Sequence, residues 1–158
     1  MSTDTKTFDP CNPPHDLPSI TTHLQTLVTL IIQHLNTRDL PESPLWSSLS
    51  PNFTTRGMGY EAPSAQAFID DYHDYAFRFP DHCSKIKGIE TQLNSRLTRG
   101  EVFMSLELTG GHGVQKGVLS RQCVVVCQVR KAEGRWVVDG AVSMPGGGLE
   151  GGGGGFGF

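Results

Sequence analysis

The sequence has no concentrated charge of either sign. Its 158 residues include 13 lysines and arginines against 16 aspartates and glutamates, a formal net charge of −3. The longest basic run is Arg130-Lys131. Proteins that hold nucleic acid through its phosphates need a clustered basic surface, so we expect no nucleic-acid partner. A chain of this length is expected to fold as one domain with its own core.

Long apolar runs and paired cysteines are also missing. No stretch stays apolar for the roughly 18 residues that a membrane-spanning helix needs, so no membrane contact is expected. The N-terminal stretch MSTDTKTFDPCNPPHDLP lacks the charged start and apolar core of a signal peptide. The four cysteines form no CxxC pair and match no zinc-ligand spacing with the six histidines. These features predict a reduced, cytoplasmic protein without a bound metal.

Three common catalytic signatures are missing from the predicted domain. The sequence has no GxSxG and no HExxH, and GxGxxG occurs only as GGGLEG at the start of the glycine-rich tail, without a strand-to-helix setting; these motifs mark serine hydrolases, zinc proteases and dinucleotide-dependent enzymes. The glycine-rich stretch TGGHGVQKG around His112 lacks the strand-to-helix setting of a phosphate-binding loop. This pattern favours acid–base chemistry in a preformed pocket, with no cofactor.

The N-terminal part of the chain predicts an arm and a helix. Residues 1–18 hold four prolines and few large apolar side chains, which predicts a flexible arm. From Ser19, apolar residues recur every three or four positions through SITTHLQTLVTLIIQHLNTRD. This spacing predicts an amphipathic helix with Ser19 as its N-cap, ended by Pro41 and Pro44.

The rest of the chain predicts one further helix and then strands. A short extended piece, NFTTRGMG, precedes a second predicted helix, SAQAFIDDYHDYAFRF, which Pro80 ends. Four strand-like segments follow, at about 84–96, 101–109, 117–131 and 135–144, with glycines at three of the joints. Helices followed by long antiparallel strands indicate the α+β class. We expect one domain over residues 19–148 and a glycine-rich, flexible tail at 149–158.

The stretch CVVVCQVRKAEGRWVVDGAV predicts a long hairpin with its turn at 132–134. Alternation places on one face Arg121, Cys123, Val125, Cys127 and Val129 opposite Met144, Val142, Gly140, Val138 and Trp136. This face is apolar except for Arg121, so helices are expected to cover it. A long sheet wrapped round helices curves and leaves one open end, which predicts an internal pocket. On the other face Val124, Val126, Val137 and Ala141 predict contact with a second copy of the chain.

These segments together resemble a known family. The order of a helix ending NTRD, then WSSLSPNFTTRG, FIDDYHDYAFRFPD and GVLSRQCVVVCQVRKAEGRWVVDGAVSMPGG resembles the nuclear-transport-factor-two-like superfamily. Within it the sequence looks like the SnoaL-like branch common in fungal secondary-metabolite pathways. The resemblance covers about residues 19–148, and its most specific elements are Asn52-Phe53, Phe79-Pro80-Asp81 and Gly134-Arg135-Trp136.

The resemblance implies both a fold and a type of chemistry. The fold is an α+β cone, in which a curved antiparallel sheet wraps around the N-terminal helices and encloses a pocket, often in a dimer formed through the sheet. In the enzymes it implies cofactor-free cyclisation, lactonisation, dehydration or isomerisation of a polyketide-like intermediate. Many relatives carry a histidine where this chain has Ala141, so a mechanism that relies on it is not available here.

Asp39 is the first catalytic candidate. It follows Leu35 by four positions and Ile31 by eight, so it lies on the inner side of the first helix if the helix continues that far. A carboxylate at a pocket mouth has its pKa raised by desolvation and acts as a general base or acid. The alternative is an aspartate in the loop that ends the helix.

Three other residues complete the catalytic prediction. Tyr72 lies on the apolar stripe of the second helix, where its hydroxyl either donates to a developing oxyanion or serves core packing. His73 titrates near neutral pH, which suits proton transfer, or is a surface histidine. Arg121 is a cation on an apolar face, so it needs Asp39 or a substrate oxygen as partner. Asp139 is held in reserve, because it faces the pocket only if a bulge reverses its strand.

We therefore predict an acid–base enzyme with a small, apolar, polyketide-like substrate. Arg56, in NFTTRGMG, is a further candidate cation for substrate binding. The apolar pocket walls are predicted to include Leu24, Val28, Phe68, Tyr72, Met104, Leu106, Val125, Trp136, Val138 and Met144. The alternative is a non-catalytic ligand-binding or dimeric interaction module of the same fold.

Overall fold

Two α-helices and a six-stranded sheet build the described part of the chain, residues 8–111 and 120–146 of a computed structural model. The helices are α1 (Leu17–Thr37) and α2 (Ala65–Arg78). The strands are β1 (Leu49–Gly57), β2 (Tyr60–Ala62), β3 (Cys83–Leu93), β4 (Arg99–Thr109), β5 (Arg121–Ala132) and β6 (Arg135–Pro145). Two short 3-10 turns, Leu40–Glu42 and Pro44–Ser48, connect α1 to β1. The predicted α+β class is confirmed.

Helix α1 is shifted by two residues from its predicted bounds. Its N-cap is Asp16 and not Ser19, because the Asp16 carboxylate accepts hydrogen bonds from the Ser19 amide at 3.2 Å and hydroxyl at 2.7 Å. The helix ends at Thr37 because Arg38 adopts a left-handed conformation, with φ 66° and ψ 22°. Asp39 is therefore not part of the helix. The predicted start of the second helix is confirmed, because Ser64 is the N-cap of α2.

Part of the predicted N-terminal arm packs on the domain. The Phe8 ring lies 4.8 Å from the ring of His23 on α1, and Pro13 is buried. Residues 1–7 of the arm, the loop around His112, the predicted strand start at 117–119 and the tail at 149–158 lie outside the described residues.

The sheet is mixed, which corrects the prediction of an antiparallel sheet. Its strand order is β2-β1-β6-β5-β4-β3. Four neighbouring pairs are antiparallel, but β1 and β6 run parallel. The predicted extended piece NFTTRGMG belongs to β1, which forms a hairpin with the unpredicted β2 and also borders the last strand. A parallel neighbour requires a long connection, and β2, α2 and the β3–β5 strands provide it.

The β5–β6 hairpin has a tighter turn than predicted. Only Glu133 and Gly134 form the turn, both with positive φ (52° and 78°), so Ala132 pairs with Arg135. Further along, Gln128 pairs with Gly140 and Val129 with Val138, which leaves Asp139 as an extra residue in a β-bulge.

The bulge reverses the two faces of β6 beyond Asp139. Ala141 and Ser143 line the interior, whereas Met144 is 42% exposed on the outer face. The predictions that Met144 lines the pocket and that Ala141 faces outward are therefore wrong. On the predicted outer patch, Val126 and Val137 are already buried within the single chain.

The hydrophobic core lies between α1 and the inner face of the sheet. Leu24, Leu27 and Trp136 have no exposed surface, and Val102 is equally enclosed. Leu24 and Trp136 thus contribute to the packed core and not to a pocket wall. The remaining space between the helices and the sheet forms the cavity described next.

Candidate functional site

A cavity of about 640 Å³ opens between the two helices and the inner face of the sheet. Seven of the residues predicted to form a pocket line it: Val28, Phe68, Tyr72, Met104, Leu106, Val125 and Val138. Their role in substrate binding stays a prediction. Arg56 does not line the cavity, because alternation along β1 turns Thr55 inward and leaves Arg56 exposed.

Tyr72 is held at the cavity by Arg38, a residue that the sequence analysis did not single out. The Arg38 Nη1 donates to the Tyr72 hydroxyl oxygen at 2.8 Å, and the guanidinium carbon lies 5.5 Å from the centre of the Tyr72 ring. Burial raises the pKa of Tyr72, and the nearby Arg38 cation partly opposes that shift. Arg38 lies in the NTRD stretch, but only the left-handed turn after the helix brings its side chain to Tyr72.

His82 is the second polar residue that the prediction missed. It is buried, lines the cavity, and packs edge-on against Tyr75 (5.0 Å) and Tyr72 (6.2 Å). Burial lowers the pKa of His82 and the Arg38 cation lowers it further, while the Thr109 backbone opposes the shift. The imidazole is therefore neutral at neutral pH. Its Nδ1 is buried with no hydrogen-bond partner among residues 8–111 and 120–146.

Gly111 allows Tyr75 and His82 to approach the same point. A Cβ at this position would lie 2.3 Å from the Tyr75 hydroxyl oxygen and 2.9 Å from the His82 Nδ1. Both distances are shorter than real side-chain contacts, so only glycine fits here without a rearrangement. The Phe79-Pro80-Asp81 element precedes His82 directly, and this was the one sequence signal near it.

Arg121 lines the cavity at the start of β5, as the alternation predicts. In the sheet it pairs with Leu108, which in turn pairs with Ser84 at the start of β3. Two thiols follow Arg121 on the same face. Burial raises the pKa of Cys123 to about 11 and that of Cys127 to about 12, so both are protonated thiols at neutral pH.

The structure does not bring Asp39 to the cavity. Its side chain is 51% exposed and accepts hydrogen bonds from the Thr37 hydroxyl and from Nδ1 of His34, the latter at 2.8 Å. The Thr37 bond first and the His34 bond second lower the pKa of Asp39. The expectation of a raised pKa at a pocket mouth is therefore wrong. The physical reason is that α1 ends two residues before Asp39.

His73 and Asp139 also lie away from the cavity lining. His73 is half-buried on α2, and its Nε2 has no hydrogen-bond partner within the described ranges. Asp139 occupies the bulge, yet its carboxylate binds the Arg130 guanidinium through two hydrogen bonds, at 2.8 and 3.0 Å. That contact lowers the pKa of Asp139, and the bulge exposes Ala141 and not Asp139 to the cavity.

One rim of the cavity joins α2 to the β1–β2 hairpin. The Tyr60 hydroxyl donates to the Asp71 carboxylate at 2.9 Å, and both residues line the cavity. Burial, followed by the contact with Asp71, raises the pKa of Tyr60. The hairpin turn at 57–59 has positive φ throughout. The Tyr60–Asp71 hydrogen bond thus links α2 to the β1–β2 hairpin at this rim.

Two other features are absent from residues 8–111 and 120–146. No group of three or more His, Cys, Asp or Glu side chains in the described part of the chain is placed to hold a metal ion. Neither described helix is long and apolar enough to cross a membrane.

Comparison with known proteins identifies the fold. No family model and no curated protein matches this sequence. Similar solved structures include an NTF2-like protein of unknown function from Pseudomonas putida, with 9% identity and a TM-score of 0.65 over 86% of this chain and 93% of that one. Aln2 from a Streptomyces species has 9% identity and a TM-score of 0.64, covering 84% and 94% of the two chains. A proposed ketosteroid isomerase from Shewanella frigidimarina has 11% identity and a TM-score of 0.58, covering 75% and 92%.

These neighbours confirm the predicted cone-shaped fold. The chain has the NTF2-like fold, in which helices and a curved, open sheet enclose a cavity.

Proposed function

We propose that this protein is a cofactor-free acid–base enzyme of secondary metabolism, of the SnoaL-like type, that moves a proton on an apolar, polyketide-like ketone or enol. The observation that carries the proposal is that Tyr72, His82 and Arg121 line the same, mostly apolar cavity. Proton transfer next to a carbonyl starts aldol-type cyclisation, dehydration and isomerisation of such compounds, and lactonisation needs a base that takes the proton of the attacking hydroxyl.

His82 is the proposed general base. A neutral imidazole accepts a proton, and its lowered pKa keeps it neutral in the pH range where the free side chain begins to charge. Tyr72 is the proposed donor to the substrate oxygen on which negative charge develops, since its raised pKa keeps the hydroxyl protonated. Arg121 stabilises the same charge from the sheet. In this proposal His82 replaces Asp39 and His73 as the group that transfers the proton.

The distribution of polar groups supports a substrate with one oxygenated end. His82 precedes β3, and the pairing of Ser84 with Leu108 and of Leu108 with Arg121 places these groups at one end of the sheet. The opposite end of the lining is apolar and consists of Leu49, Met104, Cys127 and Val138. A conjugated or polycyclic ketone fits this division, with its carbonyl near His82 and its hydrocarbon part at the apolar end.

Deuterium exchange tests the proposal without knowledge of the natural substrate. The protein is incubated in deuterium oxide with 2-tetralone, a bicyclic ketone with acidic hydrogens next to its carbonyl, and mass spectrometry follows deuterium uptake. We expect the wild type to accelerate exchange and His82→Gln to lose at least about tenfold of that acceleration. Equal rates for wild type and His82→Gln would contradict the proposal.

The same experiment separates catalysis from the alternative, a ligand-binding module. Binding of 2-naphthol, an aromatic analogue of an enol, is measured by its fluorescence. A protein that binds 2-naphthol in the cavity but leaves 2-tetralone exchange at the solution rate is a binding module. An enzyme does both, and Ala141→Phe, which fills the cavity, removes both.

We further propose a homodimer through the outer face of the sheet. On this face Val124 of β5 pairs with Met144 of β6, and two residues along, Val126 pairs with Phe103 of β4 and with Val142 of β6. Met144 is 42% exposed and continues this apolar row, and a contiguous apolar patch is typical of a contact surface. Sedimentation at micromolar concentration tests the dimer, with Met144→Lys as the variant expected to dissociate it. A monomeric wild type would contradict the proposal.

A further inference from the structure

Arg38 occupies a backbone conformation that does not suit arginine. With φ 66° it ends α1 in the left-handed region, where glycine is the usual residue because a Cβ is unfavourable there. Capping itself uses the backbone, since the Arg38 amide donates to the carbonyl oxygens of His34 and Leu35. Glycine would cap this helix equally well. The backbone conformation therefore does not explain the arginine, and its side-chain contacts are the feature that distinguishes it.

The Arg38 side chain joins three parts of the site. Nη1 donates to the Leu35 carbonyl at 3.1 Å and to the Tyr72 hydroxyl at 2.8 Å, and Nη2 donates to the His82 carbonyl at 2.8 Å. A second, longer contact reaches the Pro80 carbonyl at 3.5 Å. One guanidinium thus fixes the end of α1, the middle of α2 and the segment that carries His82.

The direction of the bond to Tyr72 follows from chemistry. A guanidinium has five N–H donors and no acceptor, so the Tyr72 oxygen must accept in this contact. The hydroxyl proton of Tyr72 then has to be donated elsewhere. No residue in the described ranges accepts it, and Tyr72 lines the cavity. The proton is therefore available to an acceptor inside the cavity.

We propose that Arg38 is a positioning residue that fixes the Tyr72 hydroxyl as a donor to a substrate oxygen and holds His82 beside it. This inference rests on the proposed function and adds a requirement to the substrate: it must present a carbonyl or enolate oxygen, an acceptor, to Tyr72. A hydrogen bond donated to an already polarised hydroxyl also strengthens the bond that this hydroxyl donates. The same cation acts on the His82 imidazole, whose ring contacts Tyr72 and Tyr75.

Nuclear magnetic resonance tests this role independently of any substrate. Tyrosine ring carbons and histidine ring protons are followed through pH titrations of the wild type, Arg38→Gln and Arg38→Lys. We expect Arg38→Gln to raise the pKa of both Tyr72 and His82, because the cation that lowers them is gone. Arg38→Lys keeps the charge and should fall between the two. Arg96→Gln, which removes an exposed arginine in the β3–β4 turn, should change neither pKa.

The kinetic part of the test uses 2-tetralone exchange. Arg38→Gln should lower kcat by about tenfold, with a smaller change in KM, and Arg38→Lys should recover part of the loss. If Arg38→Gln folds poorly, Arg38→Gly is the second variant, because glycine suits the left-handed conformation.

The outcomes distinguish this inference from the proposed function. Unchanged pKa values of Tyr72 and His82 in a folded Arg38→Gln or Arg38→Gly variant would overturn the positioning role, whatever the activity. Shifted pKa values in the Arg38 variants would support the positioning role even if the wild type did not catalyse deuterium exchange of 2-tetralone. That combination of results would reject the enzymatic proposal alone.

Discussion

Arg38 and Asp39 are neighbours in the chain, yet they belong to opposite surroundings. Arg38 joins Tyr72 and His82 in what we call the cavity group, whereas Asp39 joins His34 and Thr37 in the surface group. Both groups contain a histidine, a hydroxyl and a charged partner. One left-handed residue at the end of α1 decides which charged side chain is directed toward the cavity and which toward solvent.

The difference between the groups shows why composition does not identify a site. In the surface group, Asp39 is half exposed, and water screens the interactions of its carboxylate. In the cavity group, burial shifts the pKa values of Tyr72 and His82 in the directions that keep both side chains uncharged. The two groups therefore contain the same types of side chain but differ in burial, and burial sets their protonation states.

The cysteines provide the largest contrast between surface and cavity. Cys11 and Cys83 are exposed, whereas Cys123 and Cys127 line the cavity with pKa values of about 11 and about 12. At mildly alkaline pH we expect iodoacetamide to modify the exposed pair at least about 100-fold faster, because only thiolates react. Mass spectrometry of peptides measures the rates. Fast alkylation of Cys127 in the folded protein would refute the burial of this wall.

Removal of the Tyr72 hydroxyl should have the next largest effect. Tyr72→Phe keeps the ring in place and deletes the proposed donor, so we expect kcat for 2-tetralone exchange to fall about 100-fold. The thermal midpoint should change little. Thr37→Val, which removes a hydroxyl of the surface group, is the matched control. A loss of less than about threefold for Tyr72→Phe would remove this hydroxyl from the mechanism.

Acidification should destabilise the protein through its buried histidines. The pKa values of His23 and His82 are lowered from 6.5, mainly by burial, so the unfolded chain takes up protons first as the pH falls. The stability that these neutral side chains confer is present above pH 6.5 and is lost as the pH drops through their lowered values. We expect the thermal midpoint to fall over this range.

The double variant His23→Gln, His82→Gln tests whether these two histidines cause the loss of stability at low pH. It should show a weaker dependence of the thermal midpoint on pH between the ordinary histidine range and the carboxylate range, as measured by circular dichroism. An unchanged slope would mean that other groups cause the loss.

The smallest effect is expected for Asp39. Asp39→Asn removes a charge that lies outside the cavity, so kcat for 2-tetralone exchange should remain within about twofold of the wild type. A large loss of kcat with an intact fold would show that the surface group takes part in the reaction, and the distinction between the two groups would fail.

The sequence predicts the broad architecture because that architecture depends on periodicity. Apolar spacing of three and four located α1 and α2, and alternation located β5 and β6 together with the inward position of Arg121. The fold class, the covered face of the sheet and seven residues of the cavity wall followed from these patterns.

The misplaced residues depend on single-residue backbone events that have no such pattern. The left-handed φ of Arg38 ended α1 early and moved Asp39 out, and nothing in NTRD marks that conformation. The bulge at Asp139 exchanged Met144 for Ala141 in the interior. No local sequence pattern marks His82 as a site residue, because its partners Arg38 and Tyr72 are 44 and 10 positions away in the chain.

Because of the bulge at Asp139, the side chains that line the cavity depend on the register of β6 as well as on its composition. If β6 lost the bulge and Asp139 paired like any other strand residue, the strand beyond it would change phase, so Val142 and Met144 would enter the interior while Ala141 and Ser143 left it. Small side chains in the cavity wall would be replaced by large ones without any substitution. In this fold the presence or absence of a bulge in β6 is therefore a route to a new ligand shape, and the Arg130–Asp139 ion pair lies at the bulge that sets the present phase.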